Sequence, residues 1–210
     1  MNRWVATTFG VLTAVLLIGQ RFGVEWAGGT GFVTPEQVVV VDEVGTATVE
    51  RAGVARETQL GEAVRRGETI VTGADTFIHV RIGQSTDVFV SQNSRLTVSD
   101  LTPGSVELYL LAGRMHIRVT DRDFAPTIRT GWTFTKPSAG ETAFVYYDFQ
   151  DTIVIAPLSA QPTAIALRAT NEGFITTKPV SIHEVSPVTT SDIAFSPSAG
   201  DATAFYTWSR

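Results

Sequence analysis

Thr76-Phe77-Ile78-His79-Val80-Arg81-Ile82 is the stretch that decides the fold class. Ile78, Val80 and Ile82 alternate with Phe77, His79 and Arg81, a period of two that gives a strand one buried face and one face meeting water or a neighbour. Met115, Ile117 and Val119 alternate with His116 and Arg118 in the same way. Val106, Leu108 and Leu110 alternate with Glu107 and Tyr109 but run into Leu111, which predicts a core strand covered on both faces.

Outward from these segments, short runs rich in Val, Ile, Thr and Phe recur between turn residues, the signature of an all-β protein. Strands are predicted at Thr46 to Val49, Thr69 to Thr72, Asp87 to Val90, Arg95 to Val98, Thr142 to Tyr147, Thr152 to Ile155 and Thr163 to Leu167. Asp100-Leu101-Thr102-Pro103-Gly104-Ser105 supplies a tight turn, and Ala112-Gly113 predicts a second reversal. Only Glu57 to Arg66 has some helical character, interrupted by Gly61. Beyond Arg168 the text turns to Ser, Thr and Pro, which predicts edge strands around Phe174 to Thr177 and Val180 to Glu184. The ending Phe205-Tyr206-Thr207-Trp208 reads as a last strand closing the core. The fold class expected is all-β: a single antiparallel β sandwich, barrel or coiled β domain after one N-terminal transmembrane helix.

The 210 residues suffice for one well-buried domain, and 43% hydrophobic with 18% charged residues is a globular composition. A net charge of −5 argues against nucleic acid as a partner, because phosphate binding needs a basic surface that releases counterions. The absence of cysteine removes disulfides, thiolate metal sites and cysteine nucleophiles.

From Trp4 to Gln20 an uncharged apolar run lies between Arg3 and Arg21. Its length of about 17 residues is the lower limit for a helix crossing a hydrocarbon core. Arg21 is offset by Glu25, so the charge bias places the N-terminus inside and the rest of the chain outside. A cleaved signal peptide is the competing reading, and it exports the domain as well, but Gly19-Gln20-Arg21-Phe22 is a poor cleavage site. The expected organisation is a cytoplasmic stub at 1–3, a signal-anchor at 4–20, a linker at 21–37, a β domain at 38–168 and a C-terminal extension at 169–210. Localisation is then the cytoplasmic membrane, single-pass, with the domain periplasmic or at the cell surface.

The chemistry-bearing residues are sparse. His79, His116 and His183 stand singly, without metal-ligand spacing, and read as surface or strand-pair histidines. Asp121 and Asp123 flank Arg122 but lack the glycine and further carboxylates of a calcium loop. No G-x-S-x-G elbow or phosphate-cradling loop occurs. Trp132, Tyr146, Tyr147 and Phe149 are aromatic candidates for stacking on sugars or anchoring a partner; their interleaving with Phe144 and Val145 favours packing instead. Of these, Trp132, Tyr146 and Tyr147 are the ligand-binding candidates. No catalytic residue, metal or cofactor is expected.

Gly67-Glu68-Thr69-Ile70-Val71-Thr72-Gly73, then Phe77 to Ile82, the turn Gly83-Gln84-Ser85, Ser94 to Val98 and Val106 to Arg114 follow one another in an order that resembles a FecR domain. The resemblance covers roughly Val44 to Pro157 and implies an extracytoplasmic β domain. It departs where Ser138-Ala139-Gly140-Glu141-Thr142 stands in place of a Gly-Thr pair. FecR regulators act on a sigma factor through a cytoplasmic region, and with only Met1-Asn2-Arg3 before the apolar run that activity is not carried over. The expected function is a membrane-anchored binding or scaffold module at the cell envelope, with signal sensing as a candidate role and an envelope protein or polysaccharide as partner. A cell-wall polysaccharide binder and, third, an envelope hydrolase built from distant strands are the alternatives.

Overall fold

The structure is a computed structural model describing residues 37–183 and 188–210; the apolar run at Trp4–Gln20 and the stretch up to residue 36 lie outside them. The described residues fall in one compact unit, Thr34–Arg210. Among them, no helix is long and apolar enough to cross a membrane. The first nine strands are β1 (Val38–Val44), β2 (Thr48–Arg51), β3 (Val54–Glu57), β4 (Ala63–Val64), β5 (Thr69–Val71), β6 (Phe77–Ile82), β7 (Thr86–Val90), β8 (Arg95–Thr102) and β9 (Ser105–Val119). After them come β10 (Thr127–Arg129), β11 (Thr133–Lys136), β12 (Gly140–Tyr147), β13 (Thr152–Pro157), β14 (Thr163–Leu167), β15 (Gly173–Thr176), β16 (Val180–His183) and β17 (Thr189–Asp192). A single α-helix, α1 (Thr203–Trp208), ends the described chain.

The strands form two sheets that share β9. In the first sheet the order is β4, β1, β6, β7, β9, β12, β13, β16, β17. In the second it is β3, β2, β5, β8, β9, β10, β11, β14, β15. Every pairing is antiparallel except β9 with β10, which is parallel. The inward-facing residues of both sheets meet in one core. Ile78, Val80, Ile117, Phe144 and Ile155 come from the first sheet, and Ile70, Leu96, Leu108, Leu110 and Ile128 from the second. All ten are fully buried, and each aliphatic side chain so removed from water stabilises the fold by about 1.5–3 kcal/mol. The all-β class expected from the alternation is present.

Ala112-Gly113 does not reverse the chain. β9 runs through it for 15 residues, pairing with β8 and β10 up to Ala112 and with β7 and β12 from Gly113 onward. A strand that bends from one sheet into the other makes a corner of the sandwich. Gly113 sits at the bend with φ of +109°, and a Cβ there would lie 2.1 Å from Ser94 Oγ. Ser94 Oγ in turn accepts a hydrogen bond from the Arg114 backbone N–H at 3.0 Å. Glycine serves as a turn residue in sequence; here it serves close approach of two chains. The Asp100–Ser105 turn is a true hairpin, pairing Thr102 with Ser105.

Two further expectations change. The stretch from Glu57 to Arg66 forms no helix; it contains only the end of β3, the short β4 and turns. Phe205 to Trp208 lies within α1, not in a strand. Ala202, Phe205 and Tyr206 are buried together and Trp208 packs on the same cluster, which is the i, i+3, i+4 spacing of one helical face. A four-residue aromatic run is too short to distinguish that spacing from alternation.

Replacing Gly113 by alanine is expected to lower the unfolding free energy by roughly 2–3 kcal/mol, from strain at positive φ and displacement of Ser94. Gly53→Ala, where a Cβ has open space at φ of +81°, isolates the backbone part of that cost. Urea midpoints should fall clearly further for Gly113→Ala.

Candidate functional site

The two outer faces of the sandwich differ. On the first sheet, register places His79, Phe89, His116, Ala143 and Ala156 in one row across five strands. The rings of His79 and Phe89 stack at 4.4 Å, and those of Phe89 and His116 at 5.6 Å. Where the row narrows to the two alanines, α1 settles onto the sheet and buries Phe205 and Tyr206. Trp208 meets Phe89 edge-on at 5.6 Å and lies 5.6 Å from Phe77. The neighbouring row, Arg81, Asp87, Arg118 and Glu141, alternates in charge across four strands, the arrangement that cross-strand pairs favour.

The polar groups of this face are turned on one another. Arg118 donates to Glu141 Oε1 at 3.1 Å and to the carbonyls of Ser209 and Arg210. His116 is 1% exposed, with Nδ1 2.9 Å from Ser209 Oγ and Nε2 3.6 Å from Glu141 Oε2. Burial, reinforced by the charges of Arg118 and Arg210 and only partly opposed by Glu141, pulls its pKa down from 6.5 to about 4. Burial alone would raise the Asp87 carboxyl, but hydrogen bonds and charge from Arg81 and His79 outweigh it and hold that group below its ordinary value. Burial pushes the Tyr206 hydroxyl up. This is the chemistry of a closed seam joining α1 to the sheet. Sequence alternation placed His116 on the polar face of its strand; the helix then covered that face.

The outer face of the second sheet has no such cover among the described residues. One row across it runs Glu50, Thr69, Thr97, Tyr109, Arg129, Phe134, Ala166, Gly173. The Arg129 guanidinium lies 4.5 Å from the Tyr109 ring centre and 3.6 Å from Glu107. The Arg168 guanidinium lies 5.7 Å from the Phe134 ring centre and donates to the Gly131 carbonyl at 2.6 Å. Rings and guanidinium groups thus succeed one another across the sheet, an attraction of cation for ring face. Phe134 remains 37% exposed and Ile175 72% exposed, beside the exposed alanines Ala164 and Ala166. Next to Ile175 the sandwich opens in a cleft of about 210 Å³ between β15 and β17, lined by Phe174, Ile175, Thr176, Val180 and Thr190–Asp192.

The aromatic candidates from the sequence fall elsewhere. Tyr146 is buried, its ring edge-on to half-buried Trp132 at 5.4 Å. The turn above them is closed by Thr130, whose Oγ1 accepts from the Thr133 N–H, and a Cβ on Gly131 would lie 2.4 Å from the Tyr146 hydroxyl. Tyr147 is half-buried against Phe149, which is 76% exposed. His183 bridges Thr152 at 2.8 Å and Ser181 at 3.2 Å. Asp121 caps a turn by accepting from the Asp123 N–H. No metal-holding cluster of His, Asp and Glu occurs among the described residues. Tyr109 and Phe134 are each a lone ring in its strand, with no signal in the sequence that joins them, and only register brings them into one row.

No protein-family profile matches the sequence. No curated protein matches it either. Two solved structures are similar to this chain over part of its length, both of a candidate anti-sigma factor from Parabacteroides distasonis. One is 9% identical with a TM-score of 0.49, over 59% of this chain and 59% of that one. The other is 10% identical with a TM-score of 0.47, over 58% and 57%. The likeness therefore spans less than two thirds of either solved chain.

Because His116 is neutral in the fold and charges readily once unfolded, its contribution to stability is complete above pH 6.5. It declines as pH falls toward 4, by about 3 kcal/mol in all. Urea denaturation of the wild type at intervals from pH 7 to 4 should show that slope. In His116→Gln, which bonds without titrating, the slope over this window should flatten; equal slopes would refute the buried neutral imidazole.

Proposed function

We propose that this chain is a FecR-like, extracytoplasmic binding module without catalytic activity, held at the cytoplasmic membrane through Trp4–Gln20, whose binding face is the open outer face of the second sheet. The observation carrying the proposal is the contrast between the two faces. The first sheet pairs Arg118 with Glu141 and His116 Nδ1 with Ser209, and α1 covers it, although His116 Nε2 beneath the helix and the Tyr206 hydroxyl make no hydrogen bond among the described residues. The second presents Phe134, Ile175, Lys136 and Arg168 outward with nothing described above them. An exposed aromatic and apolar strip rimmed by charge is the surface chemistry of recognition. The strand succession that resembles a FecR domain and the apolar N-terminal run support the envelope location. The described groups offer no nucleophile, base and orienting partner assembled in one cleft, which favours binding over hydrolysis.

The absence of cysteine makes the test direct. A single Ala166→Cys substitution in the full chain puts a thiol on the open face; Ala143→Cys puts one beneath α1, where the residue is fully buried. A membrane-impermeant maleimide added to intact cells, after outer-membrane permeabilisation if one is present, should label position 166 and spare position 143. Membrane fractions should retain the labelled full-size protein until detergent is added. Labelling of position 166 only after lysis, or release of the protein without detergent, would overturn the location and the anchor.

A further inference from the structure

On the open face, two cations have no carboxylate within 4 Å among the described residues. Lys136 is exposed and takes part in no ion pair among the described residues. Arg168 is exposed, and its described contacts are backbone carbonyls and the Phe134 ring. Arg129, by contrast, is matched by Glu107. Lys136 and Phe134 alternate on β11, and the Arg168 N–H bonds to the Trp132 carbonyl, which sets Arg168 beside the residue two places before Phe134. The backbone positions therefore follow one another in steps of roughly 7 Å along the strand direction, and the Arg168 guanidinium reaches to 5.7 Å from the Phe134 ring centre.

Beside this line the sheet is flat and small-featured. Lys136 is opposite Ala164, Phe134 opposite Ala166, and Ala166 opposite Gly173. Ile175, paired with Ala164, borders that shelf. A flat shelf next to a ring face suits the C–H face of a sugar ring better than a protein partner, whose side chains need pockets to fill. The flanking cations require anionic groups separated by a neutral, stackable stretch. A nucleic acid carries charge on every repeat and meets a chain of net charge −5. A polysaccharide bearing carboxylates at intervals presents a sparser pattern that matches two separated cations.

We infer that the strip Lys136, Phe134 and Arg168, with the shelf of Ala164, Ala166 and Gly173, is a binding site for a carboxylate-bearing polysaccharide. The inference rests on the outer face of the second sheet being the binding face, but not on the location of the protein. The carboxylates pair with Lys136 and Arg168, and an intervening sugar lies against Phe134. Charge complementarity here is local: two unmatched positive side chains on a protein that is negative as a whole.

The test is affinity electrophoresis of the full chain in detergent through native gels containing polygalacturonate, dextran or poly-glutamate. Polygalacturonate should retard the wild type, with retardation reduced by added salt; dextran and poly-glutamate should not. Phe134→Ala and Lys136→Glu should each cut the retardation at least fivefold, whereas Phe149→Ala, an exposed ring outside the strip, should leave it unchanged. Unchanged urea midpoints establish that the first two variants still fold. Arg168→Gln is the added variant if its turn tolerates the loss of the Gly131 bond. Absent retardation, equal retardation by dextran, or variants that bind like the wild type would overturn the site. Retardation by poly-glutamate alone would assign the strip to an acidic polypeptide and refute the glycan. Failure here with position 166 still labelled from outside sinks only the ligand; failure of that labelling with the glycan still bound sinks only the location.

Discussion

A 15-residue strand belongs to both sheets of this sandwich, and the connection holds only because position 113 carries no side chain. At Gly113 the backbone turns out of one ladder and into the other while passing so close to Ser94 that even a methyl group would collide with it. The Ser94 hydroxyl takes over an N–H of Arg114 that would otherwise lose its partner at the bend, which is how an irregular strand avoids an unsatisfied buried donor. On each side of β9 the remaining strands add in order outward, so the register of every outer-face residue traces back to this corner. The row of His79, Phe89 and His116 in one sheet and the row of Tyr109, Arg129 and Phe134 in the other are both consequences of it.

The two rows then meet different fates according to what lies over them. In the first sheet, Ala143 and Ala156 follow His116 and leave a trough that the aromatic face of α1 fills. Sealing that trough removes His116 from water, and the fold offsets the loss by bonding Nδ1 to Ser209 and by placing Glu141 and Arg118 alongside. In the second sheet, Ala164 and Ala166 also make a shelf, but the cations beside it have no matching carboxylates. One face is therefore consumed by the fold's own stability, and the other is left with unmatched charge and an exposed ring. A binding module needs such an asymmetry, because a surface already satisfied internally has little free energy to give to a ligand.

The sequence by itself determined the all-β class and many of the strands, though it left out β1, β3, β4, β10, β11 and β17. Alternation at Ile78, Val80 and Ile82 and at Met115, Ile117 and Val119 fixed which side chains enter the core, because a period of two is local and survives any topology. The hairpin at Pro103-Gly104 was legible for the same reason, since turn chemistry depends on neighbours in the chain. The tertiary structure alone decided the rest. Whether Gly113 turns the chain back or lets it bend past Ser94 depends on a residue 19 positions away in sequence. Whether Phe205 to Trp208 forms a strand or a helix depends on the trough made by Ala143 and Ala156. Tyr109 and Phe134 become one surface only through the register of β9 with β10 and of β10 with β11. Local periodicity specifies which face a residue is on; only non-local pairing specifies what lies beside it and what covers it.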